Sequence, residues 1–493
     1  MDAKPLLPRS NALSLLCRCA LLAALFAAAL AMMNCGNTTV TGQFNNGMGT
    51  VNVSISDPPS CAAPSGDFES VFITFRSVQA HISATADDNS SGWQELAPQL
   101  VTQPVQVDLL HLPANGACLL KQLGSNSLPA GDYQQIRLLL MPNSPPSGPV
   151  PATNACAPLG QVFNCVVDNT GVHALDLSSQ ANTGLKIPPG QVLGGPIHVA
   201  AGQSVDINID FNTCQSLVPM GNGSFRLKPT LTAGQVSANN TGISGQIVDS
   251  VSLQPISGAQ VALEMDDGTG TDRIIMQTLT DSSGHFSFCP LPMGAVFDIV
   301  TDALTGSGTA FNATALFHVS GGTNVGAIPL VAETGSPSGP GTITGTVTAL
   351  NGAVGANIDA SVIALQTVTL SGSNRALSIP LLQNSVSELA VESGATCPAG
   401  SPAGAFCADY FLVVPASNPS VGTFSAGSTS FTAPASGDVL YSVEARAFRP
   451  LSGGASTCSP SSQSTNQNST SQPLKVTASA SFAAKRLDFT GCS

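Results

Sequence analysis

The sequence predicts an all-β protein made of tandem β-sandwiches, and three features carry that prediction. Apolar residues alternate at period two in "TVNVSIS" (50–56), through Val51, Val53 and Ile55. They do so again in "SVDINIDF" (204–211), through Val205, Ile207, Ile209 and Phe211, and in "DVLYSVEARAF" (438–448), through Val439, Tyr441, Val443, Ala445 and Ala447. That spacing gives a strand one buried and one wet face. Gly, Pro, Asn and Ser interrupt these runs at short intervals, as sandwich turns require. Only 9% of the 493 residues are charged, far below the usual ~25%, so Gly, Ser, Thr, Asn and Pro cover the surface. No long amphipathic helical pattern competes.

The N-terminus sets the compartment. Lys4, Arg9 and Arg18 lead into "CALLAALFAAALAMM" (19–33), an uncharged apolar run of fifteen residues. That length suits a signal sequence and is short of the ~20 residues that span a bilayer. Residues 1–34 are therefore expected to be a signal peptide and 35–49 a polar tether. Two cleavages compete. "Ala29-Leu30-Ala31" fits ordinary signal peptidase and simple secretion, with an uncleaved anchor as a third outcome. Alternatively Cys35 becomes the first residue and carries lipid; this is preferred, although Asn34 departs from the small residue expected just before such a cysteine.

From Cys35 onward 13 Lys and Arg face 28 Asp and Glu, a net charge of −15. Nucleic acid, which needs a basic footprint, is excluded as a partner, and anionic lipid headgroups are disfavoured. Calcium is compatible with this balance. The mean hydropathy of +0.23 comes from Ala, Val, Leu and Ile, and no later apolar run reaches membrane-span length.

If Cys35 is lipidated, ten cysteines remain, and an even number in an exported chain reads as disulfides. Cleavage after Ala31 would leave an odd thiol. Cys397 and Cys407 flank a segment rich in Pro and Gly that must turn back on itself. Cys156 and Cys165 have similar spacing, and Cys458 and Cys492 are the nearest remaining pair. Cys61, Cys118, Cys214 and Cys289 allow three connectivities that the sequence does not rank.

"SANNTG" (237–242) and "ETGSPSGPG" (333–341) punctuate the chain. They suggest domains at 50–236, 242–332 and 342–493, with 333–341 as a linker that cannot pack a core. "MPNSPPSGPVPATNACAPLG" (141–160) reads as a long loop in the first domain, and the Ser/Thr-rich stretch 453–473 as a surface loop in the last. Residues 242–264 and 341–366 form a weak repeat, "GISGQIV" matching "TITGTVT".

The first region resembles a bacterial family, domain of unknown function 4382. The carriers are "GTVNVSISDPPS" (49–60), "SVFITFRSVQAHIS" (70–83), "GWQEL" (92–96), "VQVDLLHL" (105–112) and "LPAGDYQQIRLLL" (128–140). The resemblance implies an envelope β-sandwich of immunoglobulin-like or prealbumin-like type with no established catalytic residues. Within it, "AGDY" reads as a tight turn feeding a strand in which Ile136, Leu138 and Leu140 face one way. The second region looks like a carboxypeptidase regulatory-like domain of the carbohydrate-binding-like fold, through "ISGQIVDSVSLQPISGAQVALE" (243–264), "TDSSGHFSFCPLPMG" (280–294) and "FDIVTDA" (297–303). Such a module is an accessory to enzymes rather than a catalyst. Pro255 with Gly258, and Asp281 with Gly284, are its expected turns.

No H-E-x-x-H, G-x-S-x-G, S-x-x-K or P-loop pattern occurs. The six histidines, His81, His111, His173, His198, His285 and His318, never fall within four residues of one another, so local metal-ligand spacing is absent. Asp266, Asp267 and Asp272 in "EMDDGTGTDR" suit either a calcium loop or, preferably, a hairpin tip; the EF-hand pattern fails at Gly268. Trp93 and Tyr133 are expected in the core rather than on a sugar-stacking platform.

The expectation is a non-enzymatic cell-envelope lipoprotein with a binding or structural display role. Gly36 after Cys35 favours the outer membrane. A membrane through the lipid, a surface glycan or an envelope protein are the expected partners. A carbohydrate- or polymer-binding accessory is the alternative, and an enzyme with its site in the first domain the third hypothesis.

Overall fold

The computed structural model describes residues 45–492 apart from 58–67, 88, 116–117, 145–147, 178–183, 221, 229, 237–241, 293, 335–337, 353, 371, 394–395, 427–428 and 449–457. Cys35, the signal segment and Cys61 lie outside these residues.

The chain is all-β, in packed sheets. Helices among the described residues are single turns such as Pro98–Thr102 and Thr213–Ser216. In the first region the strands Asn45–Ser56 and Ser204–Phe211 run parallel, with Val51, Val53 and Ile55 opposite Val205, Ile207 and Ile209. All six are buried, so the alternation read from the sequence is the core of a seven-stranded sheet. A nine-stranded sheet packs over it, built around Phe68–His81 and Gln135–Leu140.

"AGDY" is not a turn. It is the end of a 16-residue strand, Cys118–Tyr133. Leu128 to Ala130 pair with the strand Asn45–Ser56, and Gly131 to Tyr133 pair with Ile197–Val199. Pairing along the whole stretch, first with one strand and then with the other, outweighs the turn tendency of Gly and Asp. The chain then changes sheets at Gln134, whose amide donates to the His81 carbonyl at 2.9 Å. Ile136, Leu138 and Leu140 follow, all buried in the second sheet.

The repeat is structural. Ile243–Asp249 pairs antiparallel with His285–Phe288 and parallel with Asn324–Leu330. Gly341–Asn351 likewise has an antiparallel partner, Phe406–Val414, and parallel partners Ser481–Ala483 and Leu487–Phe489. Each makes a small sheet that closes one sandwich. The opposing layers of the two sandwiches are one continuous eleven-stranded sheet. They join where Thr271 and Asp272 pair parallel with Ala376 and Leu377, so two strand edges that would otherwise offer free hydrogen bonds satisfy each other. Ser420–Thr423 then straps the far edge, pairing with Ala310–Ser320. One sheet thus runs across the segment 333–341.

The turn at Asp281 is as expected. Its carboxylate accepts from the Ser283 and His285 amides at 2.8 and 2.9 Å, and Gly284 takes φ +71°. Phe286 and Phe288 sit on one face, ring centroids 5.8 Å apart. Within 453–473, read above as a surface loop, Ser462–Thr465 forms an edge strand on Ser442–Phe448. Its residues are polar on both faces, which is why the sequence pattern missed it.

In the first sandwich, parallel pairing places Ser56 opposite Asp210, which brings Asp57 close as well. Both aspartates are at most 5% exposed. Burial, opposed by a hydrogen bond from Ser56 Oγ at 3.2 Å, pushes Asp210 up to about 7. Burial and then the Asp210 charge raise Asp57 well above the carboxylate range. A folded-state pKa above the unfolded value of ~3.9 means that the folded chain holds the proton longer. This contribution to stability is complete below pH ~4 and is lost as pH rises through about 7. Asp210→Asn is therefore expected to unfold at higher urea than the wild type at pH 8. The gap should close near pH 4, changing by about 1.4 kcal/mol per pH unit between pH ~4 and about 7 and levelling off above. Equal pH slopes in the two proteins would contradict this account.

Candidate functional site

Charge is scarce in this chain, yet much of it is buried at the joints between its three β regions. Residues on one strand face repeat every second position, and two such faces meet at the joint between the first and third regions. Arg226 ends in a guanidinium 2.8 Å from Asp359 Oδ1 and 3.3 Å from Asp176 Oδ2, and also contacts Glu392. Two residues on, Lys228 Nζ lies 2.5 Å from Glu388 Oε2 and contacts Ser361 Oγ, with the Phe448 ring 4.8 Å away. Asp359 and Ser361 are themselves two apart on one strand, and Glu388 pairs opposite Ser361. The spacing 226/228 thus meets the spacing 359/361.

Arg226, Lys228, Asp359 and Glu388 are all less than 9% exposed. Burial pushes Asp359 up to about 6, against the pull of Arg226. Burial likewise opposes the Arg226 charge, but Asp359 and Glu392 together hold its pKa above the usual value.

The joint between the second and third regions is built from the aspartates read as calcium candidates. In register, Glu264 faces Asp298 and Asp266 faces Asp272, which gathers four carboxyls. Arg375, from the neighbouring strand, enters the group. Its Nη1 is 3.1 Å from Asp266, its Nη2 is 3.4 Å from Asp298, and it contacts Asp272. Asp267 turns the other way, 2.9 Å from Arg273 Nε. Its pKa falls to about 2: burial opposes this, but hydrogen bonds from Thr269 and Arg273 outweigh it. Arg273 and Arg446 also share Glu444, each at 2.9 Å. So Asp266 and Asp272 are brought together, Asp267 is not, and the cation they meet is a guanidinium. Among the described residues no group of three His, Cys, Asp or Glu side chains is arranged to hold a metal.

A cleft of about 560 Å³ opens beside this joint, lined by Leu193, Lys228, Met265, Arg273, Arg446 and Phe448 among others. All three regions contribute to it.

Disulfides add covalent ties. Cys156 joins Cys165, Cys397 joins Cys407, and Cys458 joins Cys492. Cys118 joins Cys289 across 171 residues and links the first region to the second. The sequence left this long-range pairing open, because spacing carries no signal at that distance.

The histidines stay apart. His111 lies 2.9 Å from Asp108, His198 2.7 Å from Asp132 and His285 4.0 Å from Asp281. His173 comes closest to a catalytic arrangement, with Thr170 Oγ1 at 2.9 Å and Asp168 at 3.0 Å. Both partners meet the same ring nitrogen, Nε2, so the ring cannot pass a proton between its two nitrogens as a nucleophile–base–acid relay requires. Tyr133 is core, its hydroxyl donating to the Pro129 carbonyl at 2.9 Å. Trp93 is only half-buried. Arg137 lies over its ring at 4.1 Å, so this aromatic face is already covered.

Residues 48–229 match the family model of DUF4382, a domain of unknown function. The match covers the first sandwich and leaves the second and third without a family assignment. No curated protein matches the chain. Among solved structures, the Bacillus anthracis TIE protein shares 9% identity at a TM-score of 0.16; the match covers 91% of this chain and 51% of that one, so this chain spans about half its length. The shaft pilin SpaA of Lactobacillus rhamnosus GG shares 9% identity over 58% of this chain and 98% of its own, at a TM-score of 0.17. GBS52, a minor pilin of Streptococcus agalactiae, shares 13% identity over 58% of this chain and 97% of its own, at a TM-score of 0.16. At such scores the likeness adds nothing to what the sheets themselves show.

Proposed function

We propose that this protein is an exported cell-envelope protein, lipid-anchored through Cys35 at the outer membrane, with a non-catalytic binding or structural display role. The observation that carries this reading is the cross-linking of the three β regions by Cys118–Cys289, the Arg226–Asp359 pair and the shared sheet. Bonds of this kind favour a stiff, protease-resistant body in an oxidising compartment. Buried charges serve the joints rather than an open site. The anchor is tested by growing cells with a fatty-acid analogue: wild type is expected to carry the label and Cys35→Ser to lose it. An unlabelled wild-type protein beginning at Met32 would exclude the lipid.

A carbohydrate- or polymer-binding role is the second reading, favoured by the junction cleft, where Phe448 stands beside Arg446, Ser461 and Ser462. The likeness of the second region to carboxypeptidase regulatory-like accessory domains supports the same reading. A glycan array on the mature protein tests it. Binding that Phe448→Ala removes would favour this role over pure display, and turnover in a broad hydrolase screen would overturn both.

A further inference from the structure

Another buried acidic group, separate from the Arg375 cluster and from the Asp57/Asp210 pair, has no cation paired with it among the described residues. Asp302 lies near the end of the strand Val296–Leu304. It is 0% exposed, and neither carboxylate oxygen has a hydrogen-bond partner. Burial, and then the charge of a second carboxyl, Glu333, raise its pKa well above the usual carboxylate range. Glu333 opens the segment "ETGSPSGPG". Its Oε1 accepts from the Ala416 amide at 2.6 Å and from Ser417 Oγ at 2.8 Å, which leaves a buried Oε2 without a partner.

A third buried acceptor lies on a residue that shares Ser417 with Glu333. Gln366, 2% exposed, donates through Nε2 to the Ser417 carbonyl at 3.4 Å, and its Oε1 is buried and unpartnered. Tyr441 closes the group, its hydroxyl directed to the Pro415 carbonyl at 2.7 Å. Burial, then the charges of Asp302 and Glu333, raise the Tyr441 pKa. An unpartnered donor, Gln260 Nε2, lies on the residue that pairs opposite Asp302. A single amide hydrogen does not balance two buried carboxylates.

Four unpartnered acceptor oxygens, on Asp302, Glu333 and Gln366, are thus buried where the second and third sandwiches meet, and burial raises the pKa of both carboxyls, so a cation there displaces their protons. We propose that Asp302, Glu333 and Gln366 form a calcium site that pins Glu333, at the junction of the second and third sandwiches, to both of them. The donors are all oxygen, as a hard cation requires, and two carboxylates neutralise a divalent ion. Calcium accepts irregular, largely dehydrated coordination, whereas magnesium retains water and zinc prefers nitrogen and sulfur. Water and backbone carbonyls would complete the shell.

The test uses the mature protein, stripped with EDTA and titrated with calcium chloride. The thermal midpoint is expected to rise saturably by about 3 °C once calcium exceeds its Kd a hundredfold. Terbium chloride should show emission excited through tyrosine and displaced by calcium. Asp302→Asn and Glu333→Gln should each lose both signals, while Asp266→Asn retains them. A wild type without either signal overturns the proposal. So does Asp302→Asn that keeps both, or Asp266→Asn that loses them. If Asp302→Asn does not fold, Glu333→Gln and Gln366→Leu carry the same decision.

Discussion

Arg226→Met is expected to destabilise the folded protein by about 3–5 kcal/mol at pH 8. The guanidinium contacts Asp359, Glu392 and Asp176 at once, and its removal leaves the Asp359 carboxylate buried beside an apolar side chain. Buried pairs behave asymmetrically: breaking one is costly, whereas replacing both partners by well-packed apolar groups is near neutral. The double variant Arg226→Met/Asp359→Leu is therefore expected to recover most of the loss. Acid should also recover part of it, because a protonated Asp359 no longer carries the unpaired charge. Urea unfolding of the three variants at pH 5 and pH 8 measures both effects. A single variant within 1 kcal/mol of wild type at pH 8 would show that this joint contributes little.

Replacing Cys118 and Cys289 together by serine should have an effect of similar size. The bond closes 171 residues, and the loop-entropy account assigns such a closure about 5 kcal/mol. The consequence should go beyond magnitude. With the tie cut, the first sandwich is held to the others by the Arg226 and Lys228 seam, so unfolding is expected to separate into two transitions, the earlier one sensitive to Arg226→Met. Cys156→Ser/Cys165→Ser, which opens a separation of nine residues, should shift stability less, by about 2–3 kcal/mol, and leave the number of transitions unchanged. Differential scanning calorimetry distinguishes these outcomes. A single coincident transition in the Cys118/Cys289 variant would mean that the noncovalent joint alone keeps the regions cooperative.

The all-β class, the strands carrying Val51, Val205 and Val443, and the turn at Asp281 were legible in the sequence. Each depends on neighbours within a few residues: a strand shows its buried face by alternation, and a turn shows its Gly and Asp. The repeat of 242–264 and 341–366 was legible for the same reason, since both copies keep the central strand of a small sheet. What tertiary structure alone decided is how those strands share edges. "AGDY" became strand because Asn45 pairs with Ala130 and residues 197–199 pair with Gly131 to Tyr133. The segment 333–341 looked like a linker, yet one sheet runs across it, joined through Asp272 and Leu377.

The candidate site was less legible still. Asp266 and Asp272 drew notice as a local cluster, but the residue that neutralises them, Arg375, is about a hundred positions away. Asp302 sits in an unremarkable strand and Glu333 in a linker-like run, and neither pattern announces a buried carboxyl oxygen without a partner. Sequence periodicity reports whether a side chain faces inward. It carries no information about which charge, from which distant strand, it meets there, because burial is a local property of a strand face whereas charge balance belongs to the assembled core.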